Sequence, residues 1–318
     1  MRQPQALWIT GPEQVEVRDV VPDLQPDHVT VRTLFSGISR GTERLVYRGQ
    51  VPVSEHDTMR APFQEGAFTF PVKYGYAAVG EIETGPRAGE RVFALFPHQT
   101  RFVIPEEASV RVPADVPAAR AILAANMETA LNITWDAGIS IGDRVVVIGC
   151  GVVGALVGYL AARIVGTEVI LADIDTKKRN LAEALGCTFA LPGEIEEGAD
   201  VIVHASASGA GLARAIGVAG IEARIVEASW YGTQSVETPL GGRFHQRRLQ
   251  LISSQVGRIP ANHAARWTYR RRLGKALSLL TDPCLDALIS GETAFDGLAE
   301  DYGDILNDPA TLCHRIRY

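Results

Sequence analysis

The sequence predicts an α/β protein in two parts, a β-rich, loop-rich N-terminal part followed by a doubly wound parallel sheet. Three observations predict it. Up to about residue 118, short runs with period-two alternation (VEVRDV, HVTVRTL, AAVGEIE, ERVFALF, TRFVIP) are punctuated by glycine and proline, and nothing reads as a long amphipathic helix. From Arg144 onward, continuous Val/Ile/Leu runs alternate with helical patterns, as strands buried on both faces alternate with crossover helices. The 318 residues, 46% of them hydrophobic, suffice for one large core or two moderate ones, and at this length two domains are expected.

The elements follow in order. The junction AARAILAANMETALNITWDAG has apolar residues at helical spacing and ends in glycine, so it holds one or two helices. RVVVIG, TEVILAD, a short run near TFALP, DVIVHAS, ARIVEAS and LQLISS are the strands; VVGALVGYLAARIVG, TKKRNLAEALG and GLARAIGVAG are the helices between them. Thr176 is placed to N-cap one helix and Gly186 to follow its C-terminus. A basic helical stretch, HAARWTYRRRLGKALSLL, runs to a break at Thr281-Asp282-Pro283, and the tail reads as strand, helix and final strand.

Composition narrows the function. Charged residues make up 21% and the net charge is −6, without the basic excess that nucleic acid requires. The four cysteines (Cys150, Cys187, Cys284, Cys313) form no CxxC pair and no zinc-spaced Cys/His cluster, which fits a reducing compartment. The start has no apolar leader, and no segment approaches the roughly 18 apolar residues of a spanning helix. A soluble cytoplasmic protein is expected, with no membrane partner.

Gly149, Gly151 and Gly154 form GxGxxG directly after the strand RVVVI and directly before a helix, with Val152 and Val153 between the last two glycines. The first glycine permits the tight turn, the second lets backbone approach a pyrophosphate, and the third lets helix and strand pack closely. Asp173 ends the next strand at the distance where a carboxylate meets the adenosine ribose, which favours NAD over NADP. Lys177, Lys178 and Arg179 follow and could meet a phosphate, with Lys178 kept among the cofactor contacts; a solvated helix face is the ordinary reading.

FSGISRGTERLVYRG, YGYAAVGEIE, GERVFAL and ISIGDRVVVIGCGVVG together resemble the medium-chain dehydrogenase/reductase superfamily, over nearly the whole chain. The resemblance implies a GroES-like β-rich catalytic domain (1–121 and 282–318) and a Rossmann domain (122–281), with the nicotinamide in the cleft between them. Zinc-dependent members carry a cysteine in the first segment, a His-Glu pair in the second and a further cysteine before the dinucleotide domain. Here Ser39, then Tyr76 and Ala77, then Ala124 and Ala125 stand near those positions, and no four-cysteine lobe lies between Phe93 and Phe102. These side chains are not zinc ligands, so no zinc is expected. SGISRGTE, GYAAVG and NDPATLCHRI are similar to the bacteriochlorophyllide (2-desacetyl-2-hydroxyethyl) dehydrogenase branch, which is implied to oxidise a secondary alcohol on a macrocycle side chain with NAD. These are short motifs and assign no pigment substrate.

Without zinc, a side chain or water must polarise the substrate oxygen. Ser39 and Tyr76 stand at the vacated positions; Tyr76 is either a proton donor or an aromatic plug. His98 is either a proton donor or a surface or structural histidine. Glu43 reads as a base or, more ordinarily, as a loop ion-pair partner of Arg40 or Arg44. Thr129 in NMETA matches the threonine that packs on the nicotinamide ring. Glu128 beside it is an acid if buried, or a helix-start carboxylate favoured by the dipole. Ser206, Ser208 and Gly209 after one strand, and Ser229, Trp230 and Tyr231 after the next, stand where open α/β sheets bind ligands; Ser206 and Ser229 are taken as cofactor contacts. Arg266, Arg270, Arg271 and Arg272 read as a solvated helix face or as a site for an anionic substrate. The leading expectation is a zinc-independent, NAD(H)-dependent oxidoreductase of an alcohol/carbonyl couple. An NADPH-dependent quinone or enoyl reductase and a non-catalytic dinucleotide-binding sensor or scaffold are the alternatives. A homodimer joined through LQLISSQVG is implied by the family.

Overall fold

The computed structural model describes residues 3–318. The chain divides into two units, Met1–Ala125 with Leu273–Tyr318, and Asn126–Arg272. The cuts fall at 125/126 and 272/273, where the sequence placed them at 121/122 and 281/282; the first lies inside the opening turn of the Ala124–Ala137 helix.

In the first unit the strand His28–Ser39 is the spine of a seven-stranded sheet. It pairs antiparallel with Ala78–Ile82, Arg101–Pro105 and Cys313–Arg317. Ile289–Ala294 lies parallel and outside Cys313–Arg317, so the end of the chain completes the sheet begun near its start. Alternating Val29 and Val31 face Ile82, Val92, Phe102 and Ile104 in a buried cluster. The spine runs past Leu34 through FSGIS, because neighbours on both sides pair those polar positions. It delivers Ser36 and Ser39 into the interior.

A helix, Arg40–Tyr47, starts where this strand ends. Sequence pattern missed it, since RGTERLVY is short and mostly polar. Its inward face is Glu43, Val46 and Tyr47, and Tyr47 meets Tyr302 of the Leu298–Asn307 helix edge-on at 5.5 Å. Glu43 reaches back to the Ser39 backbone N–H at 2.7 Å, satisfying an N-terminal donor as the acidic half of a capping box does.

The second unit holds six strands, all parallel, in the order Thr188–Ala190, Glu168–Ala172, Arg144–Ile148, Ala199–His204, Ala219–Glu227, Gln250–Ser253. Val145, Val146, Val147 and Ile148 of the central strand are all buried, as a strand covered on both faces requires. The order reverses direction beside this strand, which makes its carboxyl end the topological switch point. Register aligns Ile148 with Ala172 on one side and His204 on the other, and His204 with Glu227. One edge therefore presents Gly149, Asp173, Ala205 and Ala228. Asp175, not Thr176, caps the helical segment after the second strand: its carboxylate accepts from Lys177 N–H at 3.0 Å. Thr176 is already the first residue of the turn, so the preceding Asp175 holds the capping position.

In the first unit, Arg120 ties the chain to its returning segment. It is 5% exposed, grips both Asp286 oxygens at 2.7 Å, and donates to the Leu280 and Thr281 carbonyls. Arg120→Leu leaves those carbonyls without their donor and should cost about 2–4 kcal/mol in urea unfolding. A loss within experimental error would show the tie to be dispensable.

Candidate functional site

The glycine loop is held by contacts that only glycine allows. A Cβ on Gly154 would lie 2.0 Å from the Gly149 carbonyl oxygen, so the Val152–Ala161 helix approaches the strand end only because that position is bare. Gly149 has φ +106, and a Cβ there would meet the Ala205–Ser206 peptide at 2.8 Å. Beside Gly151, the N-cap, an added Cβ meets nothing within 4 Å. Open space thus lies over a helix N-terminus whose N–H groups lack intrahelical acceptors, the arrangement a pyrophosphate fits. Val152 is buried and Val153 half-buried in the first turn.

Asp173 braces this loop. Its Oδ2 accepts from Cys150 N–H at 2.8 Å and its Oδ1 from Asp175 N–H at 3.0 Å. Each oxygen keeps a lone pair for a ribose hydroxyl. Burial, then the Asp173 charge, push the Cys150 thiol up to about 12, while Lys178 acts against them and so stands near the loop. Ser206 and Ser229 lie on the same strand-end edge: the Ser229 hydroxyl accepts from Ala207 N–H at 3.0 Å. Thr129 is half-buried on the Ala124–Ala137 helix.

In the first unit a buried carboxylate organises the second group of candidates. Glu43, 0% exposed, accepts from Ser39 N–H at 2.7 Å, from the Tyr302 hydroxyl at 2.9 Å and from His98 Nε2 at 3.0 Å. His98, also fully buried, places Nδ1 2.8 Å from Ser36 Oγ, which lies 2.8 Å from the Tyr318 hydroxyl. His98 is therefore neither a surface residue nor part of a strand; it precedes Arg101–Pro105 and fills the core. Glu43 pairs across the fold rather than with Arg40 or Arg44, because it points inward from its helix while Arg40 reaches the Leu306 carbonyl.

The Tyr76 phenol lies close to the side chains of Ser39 and Thr42. Burial first, then the Glu43 charge, push its phenol up to about 12 against those two hydroxyls. It stays protonated through neutral pH, which suits a hydrogen-bond donor and not a base. Ser39 and Tyr76 thus come together, and Glu43, which takes the Ser39 N–H on Oε1, holds His98 on Oε2. Ala77, Ala124 and Ala125 are buried and apolar. Among the described residues no group of three or more His, Cys, Asp or Glu side chains is arranged to hold a metal ion.

Glu128 belongs to a different array, in the second unit. It is buried and bonded by Arg272 Nε at 3.0 Å; Arg272 also donates to Asn132 Oδ1 and the Val256 carbonyl. Burial raises the Glu128 carboxyl and Arg272 pulls it back. Arg272 is 2% exposed, so it does not share the solvated face expected of the arginine cluster. Its guanidinium is occupied by these three partners, and Glu128 acts first as an anchor.

Pattern reasoning missed Ser36, His204, Glu227, Tyr302 and Tyr318. The available signal was a polar residue interrupting an apolar strand, Ser36 in LFSGI and His204 in VIVHA, which demands a buried partner. Glu227 accepts from Ser229 N–H at 2.8 Å and the Tyr231 hydroxyl at 3.0 Å, and lies 2.7 Å from His204 Nδ1. Burial raises its carboxyl, and His204 with Ser229 outweigh that and hold it below the ordinary value.

No family model matches the chain. A 2-desacetyl-2-hydroxyethyl bacteriochlorophyllide A dehydrogenase of Cereibacter sphaeroides is 29% identical over 203 residues, a match that spans 56% of this chain and 59% of that protein. L-idonate 5-dehydrogenase of Escherichia coli shares the fold at TM-score 0.82 and 15% identity, covering 100% of this chain and 99% of its own. An Escherichia coli alcohol dehydrogenase solved with NADH gives 0.78 and 19% over 99% of both chains. 2R,3R-butanediol dehydrogenase of Bacillus subtilis gives 0.77 and 17%, again over 99% of both. The chain has the two-part GroES-like and Rossmann fold of these dehydrogenases.

Glu43→Ala would strand Ser39 N–H, His98 Nε2 and the Tyr302 hydroxyl in the core. The expected loss is about 3–5 kcal/mol in urea unfolding. A loss under about 1 kcal/mol would mean water or other groups satisfy those donors.

Proposed function

We propose that the chain is an NAD(H)-dependent oxidoreductase of alcohol/carbonyl couples that works without a catalytic zinc. One observation carries the reading. Where the resemblance places metal ligands, the Tyr76 phenol lies close to the Ser39 side chain, and buried Glu43 accepts from both the Ser39 N–H and His98 Nε2.

In this reading the Gly149–Gly154 turn and the helix N-terminus take the pyrophosphate, Asp173 the adenosine ribose, and Ser206 and Ser229 the strand-end passage; Thr129 packs on the ring. Bound nicotinamide supplies or accepts the hydride. Tyr76 holds a proton at its phenol oxygen and donates a hydrogen bond to the substrate oxygen during carbonyl reduction. Ser39 and Thr42 fix where that oxygen sits, and Glu43 fixes Ser39 through its backbone N–H. The proton-handling group therefore needs no metal to be oriented.

Asp173 supports NAD, since a carboxylate repels a 2′-phosphate. Lys178 near the same loop supports the alternative, an NADPH-dependent quinone or enoyl reductase. The substrate is a small molecule, and the Gln250–Ser253 edge strand is the proposed homodimer seam. No helix of the described residues is long and apolar enough to cross a membrane.

NADH should raise the melting temperature more than NADPH at equal concentration, because preferential binding stabilises the folded state; the reverse order would reject NAD. Asp173→Asn should weaken NADH binding about tenfold, near 1.4 kcal/mol, in a fluorescence titration. On a ketone turned over in a panel of alcohols, ketones and enones, Tyr76→Phe should lower kcat about 10²-fold with NADH affinity unchanged. Unchanged kcat would remove Tyr76 from the chemistry. NADH binding with no turnover across the panel would favour a sensor.

A further inference from the structure

Ser206, His204 and Glu227 stand in line at the carboxyl edge of the parallel sheet. Ser206 is exposed, and its Oγ lies 2.6 Å from His204 Nε2. His204 is fully buried, with Nδ1 2.7 Å from Glu227 Oε2 on the neighbouring strand. Glu227 is itself held by Ser229 N–H and the Tyr231 hydroxyl. A carboxylate on Nδ1 fixes the ring and leaves Nε2 facing the serine as an acceptor.

The backbone around Ser206 favours this contact. The chain passes from strand through Ser206 to the Gly209–Val218 helix, and Ala207 between them has φ +51, a left-handed conformation that is strained for alanine. A Cβ on Gly211, in the helix's first turn, would lie 2.4 Å from Ser206 Oγ and 2.6 Å from His204 Nε2. The helix can rest on the Ser–His pair only because that residue is glycine. Its first N–H groups, at Gly209 and Ala210, lack intrahelical acceptors and favour negative charge nearby. α/β-hydrolases likewise expose a serine at a strained strand-to-helix turn, where the serine itself takes the strain that here falls on Ala207.

We propose that Ser206 is an acyl-accepting nucleophile, a hydrolytic site for small activated carboxylic esters. Ser206 Oγ bonds to the ester carbonyl carbon as its proton passes to His204 Nε2. The carbon–oxygen bond to the alcohol breaks, and the alcohol departs with that proton. Water then adds to the acyl carbon, gives a proton to His204, and the carboxylic acid leaves as Ser206 recovers its hydrogen. Nothing is oxidised or reduced, and water is the co-reactant. Glu227 is a positioning residue that acts through His204. The proposal shares Ser206 with the cofactor passage of the dehydrogenase reading, so it describes the chain with no dinucleotide bound.

The test uses the full chain without added dinucleotide. A fluorophosphonate probe should bond to Ser206 Oγ with loss of fluoride, giving one adduct on the peptide that holds Ser206 by mass spectrometry. Hydrolysis of p-nitrophenyl acetate should fall to background in Ser206→Ala and about 10²-fold in His204→Gln, the range for loss of a general base. Glu227→Gln should lower kcat and leave KM in place. If His204→Gln fails to fold, Ser206→Ala, an exposed change, carries the test. No adduct, an adduct on another residue, or a wild-type rate in Ser206→Ala overturns the proposal. NADH binding measured on the same preparation reports on the dehydrogenase reading separately, so intact binding without a Ser206 adduct overturns this proposal alone.

Discussion

A carboxylate with no exposure must find its hydrogen bonds inside the protein, and the first unit is arranged to satisfy Glu43. The spine strand brings the Ser39 N–H, the loop before Arg101 brings His98, and the returning C-terminal segment brings Tyr302. Three stretches far apart in sequence meet at one side chain. Each is needed, because an unsatisfied buried donor costs on the order of 1–3 kcal/mol. The order that this network imposes passes through Ser39 to Tyr76, and so to the group proposed to handle the substrate proton.

The other half of the chemistry rests on close approach instead of charge. Gly149 and Gly154 bring a strand end and a helix start within a distance that no side chain would tolerate. Asp173 ties the loop to the neighbouring strand while keeping lone pairs for a ligand. Steric permission builds one unit's site and buried polarity builds the other's. They fail differently: a methyl group on Gly154 attacks the first, and a lost acceptor at Glu43 attacks the second.

That difference explains what was legible in the sequence. The parallel sheet, its order of strands and helices, and the glycine loop could be read because local pattern encodes them: apolar runs, crossover helices, and three glycines at one spacing. The return of the tail to the first sheet followed from the resemblance and not from pattern. The Arg40–Tyr47 helix escaped because its buried face is only Glu43, Val46 and Tyr47, too narrow for a periodic signal. Glu43 read as a loop partner of nearby arginines because sequence proximity says nothing about which way a helix turns. Arg272 read as solvated for the same reason. The Ser206–His204–Glu227 line was invisible as a unit, since two of its members meet only through strand register, although a histidine inside an apolar strand was a fair warning. Ser39 and Tyr76 were recognised by position, while the contacts that give them meaning come from residues at both ends of the chain.

The central claim is that hydrogen-bonded side chains hold the proton-handling group in place of a metal. The most direct measurement is the zinc content of the purified, folded protein by inductively coupled plasma mass spectrometry, before and after dialysis against a chelator, alongside its melting temperature. Less than about 0.1 zinc per chain and a melting temperature unmoved by the chelator are expected, because a catalytic zinc needs three protein ligands and none of the expected ones is present. One zinc per chain, with a melting temperature that falls as it is removed, would contradict it.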